Sequence, residues 1–137
     1  MPATITRLLS DAAQTSTIEF VTSGAALGES GTLFDIGTLS GADGSGDERV
    51  RIISITAIIS SANVNGGGVQ LLWGGSGDLF CTFGVGTSTV KMPFEPTSGF
   101  TGDLLYAADP DVSATLRIIL EKLHGFPSSL ARFNVLP

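Results

Sequence analysis

The chain has 137 residues, 42% hydrophobic and 15% charged, with a net charge of −6 and a mean hydropathy of +0.35. The length suits one domain of about 100–150 residues, and the composition excludes a disordered polymer as the main body. Both halves are acidic, −4 over residues 1–60 (7 acids, 3 bases) and −2 over the remainder (6 acids, 4 bases), so neither offers a basic stripe for a nucleic-acid backbone.

Residues 1–16 are mostly small and polar, with Leu8 and Leu9 the only large apolar pair, and read as a short helix or as an N-terminal arm that docks on a neighbouring subunit. A single β-domain is expected over 17–137. It opens with TIEFVT, residues 17–22, in which Ile18 and Phe20 alternate with Glu19 and Val21. A small-residue linker leads to a second short strand, TLFDI, at 32–36, and then to the Gly-rich, acidic stretch 37–48. RVRIISITAIIS, residues 49–60, places Ile53, Ile55, Ala57 and Ile59 on one face and Ser54, Thr56 and Ser60 on the other, with Ile52 and Ile58 blurring the pattern. Its β-branched content favours strand over helix.

The Asn-Gly step within NVNGGG, residues 63–68, signals a turn. VQLLW (69–73), GGSGD (74–78) and LFCTF (79–83) then read as a hairpin, followed by a short strand STVKM at 88–92. Pro93 and Pro96 make the segment from 93 to 100 a loop, since proline donates nothing to a sheet ladder. GDLLYA (102–107), the ADPD turn (108–111) and VSATLRIILEK (112–122) complete the strong pattern. In the last of these, Val112, Ala114, Leu116, Ile118 and Leu120 share one face, and Ile119 alone interrupts the polar one. Residues 130–136 read as a final edge strand. The sum is an all-β fold of eight or nine short strands, with turn signals about every 8–12 residues as in an antiparallel sandwich or barrel.

Catalytic chemistry finds little support. His124 is the chain's one histidine, and no G-x-S-x-G elbow accompanies it. The single Cys81 sits in the strand pattern Leu79, Cys81, Phe83 and reads as a small buried hydrophobe, since one cysteine makes neither an internal disulfide nor a Cys-based metal site. Asp43, Ser45, Asp47 and Glu48 put oxygen atoms at alternate positions, as the start of a calcium loop does, but Glu48 and Ser54 stand where an EF-hand requires Gly and Glu. Gly66, Gly67 and Gly68 lack the Lys and helix of a phosphate loop. Asp109 and Asp111 flank Pro110 as turn formers. No catalytic residue, cofactor or metal is therefore expected. Trp73 and Tyr106 are the candidates for a ligand face, while Leu8, Leu9, Phe94, Phe100 and Ile119 are candidates for a subunit interface.

No run approaches 18 apolar residues, so no membrane-spanning helix is expected, and the first residues lack the apolar core of a signal peptide. The succession LLWGGSGDLF, a Pro-flanked loop, TGDLLYA and ATLRIILEK, about residues 65–123, resembles small β-sandwich virion proteins of tailed bacteriophages, the head-decoration or capsid-cement type. That resemblance implies a jelly-roll-like sandwich, commonly a homotrimer, that clamps the major capsid protein from outside, is made in the host cytoplasm and resides on the capsid surface. The other reading is a trimeric glycan- or receptor-binding module of a tail fibre or spike, which requires Trp73 or Tyr106 to be exposed.

Overall fold

A computed structural model describes residues 4–11, 14–23, 28–39, 49–62, 67–75, 77–91, 93–95 and 102–123. Among these are nine strands: β1 (Thr4–Asp11), β2 (Thr15–Ser23), β3 (Glu29–Asp35), β4 (Val50–Ser61), β5 (Gly68–Trp73), β6 (Leu79–Gly84), β7 (Gly86–Val90), β8 (Asp103–Ala108) and β9 (Val112–Lys122). One turn of 3₁₀ helix, Ile36–Thr38, follows β3, and the Asp35 carboxylate accepts from the Gly37 N–H at 2.9 Å.

The strands form two antiparallel sheets, β1-β2-β9-β4-β7 and β3-β8-β5-β6. Their pairing is nested: β5 pairs with β6, β4 with β7, β3 with β8 and β2 with β9. A single long hairpin rolled up on itself has this property, and further ladders of β4 on β9 and β5 on β8 seal the roll. The fold is an antiparallel β-sandwich of jelly-roll type. The segment expected as an arm is corrected over Thr4–Asp11, which is an edge strand hydrogen-bonded to β2.

Strict alternation drives the inner faces together. In β9 every even residue from Val112 to Lys122 is buried, and in β8 Leu104, Tyr106 and Ala108 are buried in the same phase. Ile18 and Phe20 from β2, Val69, Leu71 and Trp73 from β5, and Ile55, Ala57 and Ile59 from β4 complete the layer between the sheets. The Phe20 and Tyr106 rings meet across the two sheets with centroids 4.5 Å apart. In β4 the alternation changes phase. Ile52 pairs with Leu120 and Ser54 with Ile119, so Ile53 is the extra residue of a bulge. Val50 and Ile52 face inward before it, and Ile55, Ala57 and Ile59 after it. Ile53, expected on the inner face, is therefore only half-buried.

Close backbone approach fixes two glycines. A Cβ on Gly68 would lie 2.2 Å from the Phe83 carbonyl oxygen, and one on Gly74 would lie 2.7 Å from that of Asp103. The Asp109 carboxylate accepts from the Gly68 N–H at 2.9 Å, and Asp111 takes a left-handed φ of 63°, so this acidic pair shapes the β8–β9 corner.

At the far end of β9 the inward phase delivers Lys122 to the rim of the core. Its Nζ, fully shielded from solvent, lies 2.7 Å from Asp11 Oδ1, which also accepts from the Ser16 hydroxyl at 2.8 Å. Its backbone N–H donates to the Gln14 carbonyl at 2.7 Å. The end of β9 is thus tied to β1 and to the residue that precedes β2. Removing the carboxylate that faces a buried ammonium costs more than replacing the ammonium by an apolar chain of similar length. Asp11→Ala is expected to lower unfolding free energy by about 3 kcal/mol and Lys122→Met by less, while Trp73→Ala is expected to cost about 3–5 kcal/mol; urea denaturation of the three variants checks the order.

Candidate interaction surfaces

Chemistry in a jelly roll is sited either in the space between its sheets or on their outer surfaces. Here the interior is occupied by large side chains. Trp73 is 1% exposed and Tyr106 4%, so both aromatics expected at a ligand face belong to the core. Trp73 stacks on Phe80 at 4.4 Å, and Phe80 meets Phe94 at 5.3 Å. The Tyr106 hydroxyl donates to the Glu29 carboxylate. For Tyr106 the signal lay in the phase of β8, which places it with Leu104 and Ala108.

The interface candidates separate. Phe94 exchanges two backbone hydrogen bonds with Ile52, at 2.8 and 2.9 Å, and is half-buried against its own domain. Within its own domain Phe94 flanks the aromatic stack. Leu8 and Leu9 remain exposed on β1. Leu8 pairs with Ile18 and Ser10 with Thr17, so Leu9 is the extra residue of an edge bulge. Ile119 is half-buried on the outer face of the larger sheet, between Ser54 and Thr17. Phe100, the acidic loop Asp43, Ser45, Asp47 and Glu48, His124 and residues 130–136 lie outside the described residues. Among the described residues no group of three His, Cys, Asp or Glu side chains is arranged to hold a metal ion, and no helix is long and apolar enough to cross a membrane.

The outer face of the larger sheet carries a row of cross-strand neighbours in which Arg7 pairs with Glu19, Glu19 with Arg117, and Arg117 with Thr56. The Glu19 carboxylate, 12% exposed, takes Arg7 on one oxygen at 2.8 Å and Arg117 on the other at 3.1 Å. Its hydrogen bond to Arg117 holds the Glu19 carboxyl below the ordinary carboxylate value, against the opposing effect of partial burial. A second pair, Arg51 with Glu121, lies toward the end of the same face, where the hydrogen bond from Arg51 to Glu121 pushes the guanidinium's pKa up. Beside the triad, Thr56, Ile58, Thr115 and Arg117 outline a shallow depression of about 210 Å³, with Ile58 55% exposed.

The smaller sheet has a different outer face. Thr32 pairs with Leu105, Leu105 with Leu72, and Leu72 with Leu79, so three leucines cross the sheet in one row. Ala107, Ser30 and Thr32 border this row in a depression of about 380 Å³ that no charged side chain lines. Sequence reasoning missed both this row and Ile58. Their signal is the aliphatic doublet: Leu71–Leu72, Leu104–Leu105, Ile58–Ile59 and Ile118–Ile119 each put one member in the core and the next outside.

No family model matches the chain, and no curated protein matches it in sequence. Solved structures do overlap it. An RmlC-like cupin protein from Desulfovibrio desulfuricans is 11% identical with a TM-score of 0.37, over 85% of this chain and 80% of that one. A conserved protein with a double-stranded β-helix domain from Klebsiella pneumoniae is 11% identical with a TM-score of 0.34, over 85% and 75%. A cupin domain from Bordetella pertussis is 10% identical with a TM-score of 0.35, over 89% and 95%.

Two outcomes test the electrostatics. Because folding depresses the Glu19 pKa, its stabilisation is present above the ordinary carboxylate value and is lost as pH falls through the depressed one. The gap in thermal midpoint between wild type and Glu19→Gln is therefore expected to be widest near neutrality and to close in acid. Cys81 is half-buried, and burial raises its thiol pKa, so Ellman's reagent at pH 8 should label it slowly in native protein and rapidly in denaturant.

Proposed function

We propose that this chain is a non-enzymatic structural protein of a phage particle, a decoration or cement module that holds to capsid subunits through its outer surfaces. The observation that carries the reading is the row Leu105, Leu72 and Leu79 on the outside of the smaller sheet. An outward leucine row bordered by Ser and Thr is a surface on which burial against another protein is favourable and no charge has to be desolvated. The charged side chains elsewhere on the domain support the same reading. The Glu19, Lys122 and Asp109 contacts fix register, strand ends and corners in the way a rigid scaffold uses its charges. A glycan-binding surface would need Trp73 or Tyr106 in contact with solvent, and both are buried.

Mass-spectrometric analysis of particles purified from an infected culture is expected to find this chain in stoichiometric ratio to the major capsid protein; its absence overturns the proposal. Heads stripped of the chain should rebind wild-type protein. Leu72→Asp with Leu105→Asp should weaken that rebinding roughly ten-fold or more, since burying one leucine is worth about 1.5–3 kcal/mol. Unchanged rebinding would remove the leucine row from the contact.

A further inference from the structure

Among the described residues the two sheets have four edge strands, β1 and β7 in one and β3 and β6 in the other. An open edge offers a ladder of backbone donors and acceptors to any other strand, and folds commonly blunt it with a bulge, a charge or a proline. Three of the four edges here are bulged. Leu9 is the extra residue in β1, Leu33 in β3 and Phe80 in β6, as the register shifts against β2, β8 and β5 show.

Among the described residues the fourth edge has none of these devices within its strand. β7 runs from Gly86 to Val90 as GTSTV, without charge or proline, and pairs with β4 in unbroken register from Val90 on Ile55 to Gly86 on Ile59. Gly86, Thr87, Ser88 and Thr89 are all exposed, and Val85 beside them is 58% exposed.

The geometry points to β7 as the contact through which two copies of this chain pair, antiparallel about a two-fold axis at Ser88, joining their five-stranded sheets into one. The sequence of the strand fits a copy of itself. Ser88 meets Ser88, Thr87 meets Thr89 and Gly86 meets Val90, so hydroxyl side chains oppose one another, an arrangement that favours strand pairing. Val85 then falls opposite the exposed Lys91, whose aliphatic stem can cover it. Charge gives the same answer. The chain carries −6 overall, yet β7 contains no acid, so two copies approach here without a facing pair of like charges. Such a contact uses the same patch on both partners and closes at two, whereas a head-to-tail contact could propagate. The inference rests on the self-association within the capsid reading and names its surface, replacing the three-fold arrangement that the resemblance implies.

Sedimentation equilibrium of the purified full chain at tens of micromolar provides the test, with a charge exchange at the axis. Wild type is expected as a dimer, and Ser88→Lys and Ser88→Glu each as monomers, with like charges opposed. An equimolar mixture of the two variants is expected to restore the dimer, an outcome that misfolding cannot produce. Circular dichroism and the slow labelling of Cys81 verify that each variant is folded. A wild-type monomer or trimer, or a dimer that both variants retain, overturns the proposal. None of these results alters the particle census, so the virion role and the β7 contact fail separately.

Discussion

The register of β9 is the constraint on which the rest of the fold depends. Val112–Lys122 lies between β2 and β4 and is paired along its length with both. A slip of one residue against either neighbour would turn Leu116, Ile118 and Leu120 outward and bring Arg117 and Glu121 into the core. The charged contacts oppose such a slip. Glu19 is held between Arg7 and Arg117, Arg51 reaches Glu121, and Lys122 binds Asp11 beyond the last inward leucine. The contacts of Glu19 and of Arg51 are set where the strand pairing already brings the partners together, and that of Lys122 reaches across β2 to β1, so electrostatics fine-tunes a register that burial selects.

The central position of β9 accounts for what the chain displays outside. A strand covered on both edges has only its two faces to offer, and its outer face is polar except at Ile119. The neutral edge of β7 and the leucine row of the smaller sheet are two further places where the described surface is not committed to internal contacts. They face different directions, one in the plane of a sheet and one normal to it. A molecule that pairs through the first and lies down on the second would present two copies of its leucine row to a repeating lattice, and paired sites bind such a lattice far more tightly than one alone.

Much of the fold is legible in the sequence because period-two alternation survives in β2, β8 and β9 and because GGSGD marks the β5–β6 hairpin. The failures share a physical cause. In β1 and β4 a bulge adds one residue and shifts the phase, so TITRLLSD does not read as a strand and Ile53 reads as core. Phe94 follows a proline and reads as loop, yet one residue beyond Pro93 its backbone can pair with Ile52. The candidate surfaces were less legible still. A doublet such as Leu104–Leu105 tells that one leucine faces out, but only the pairing of β5, β6 and β8 shows that three such residues stand in one row. The contact of Asp11 with the buried Lys122, separated by 111 positions, carries no local signature at all.

The rolled hairpin also sets an order in time. β5 and β6 are joined by a short turn and can close at once, whereas the outermost pair of the nest brings together residues as distant as Glu19 and Arg117, 98 positions apart. Closing so large a loop is entropically slow, and folds built from such pairings mature late. During synthesis β2 and β4 must wait, with edges and apolar faces uncovered, until β9 has left the ribosome. The strand that organises the finished molecule arrives after both of the strands it joins, which makes the chain lacking β9 the state most exposed to aggregation.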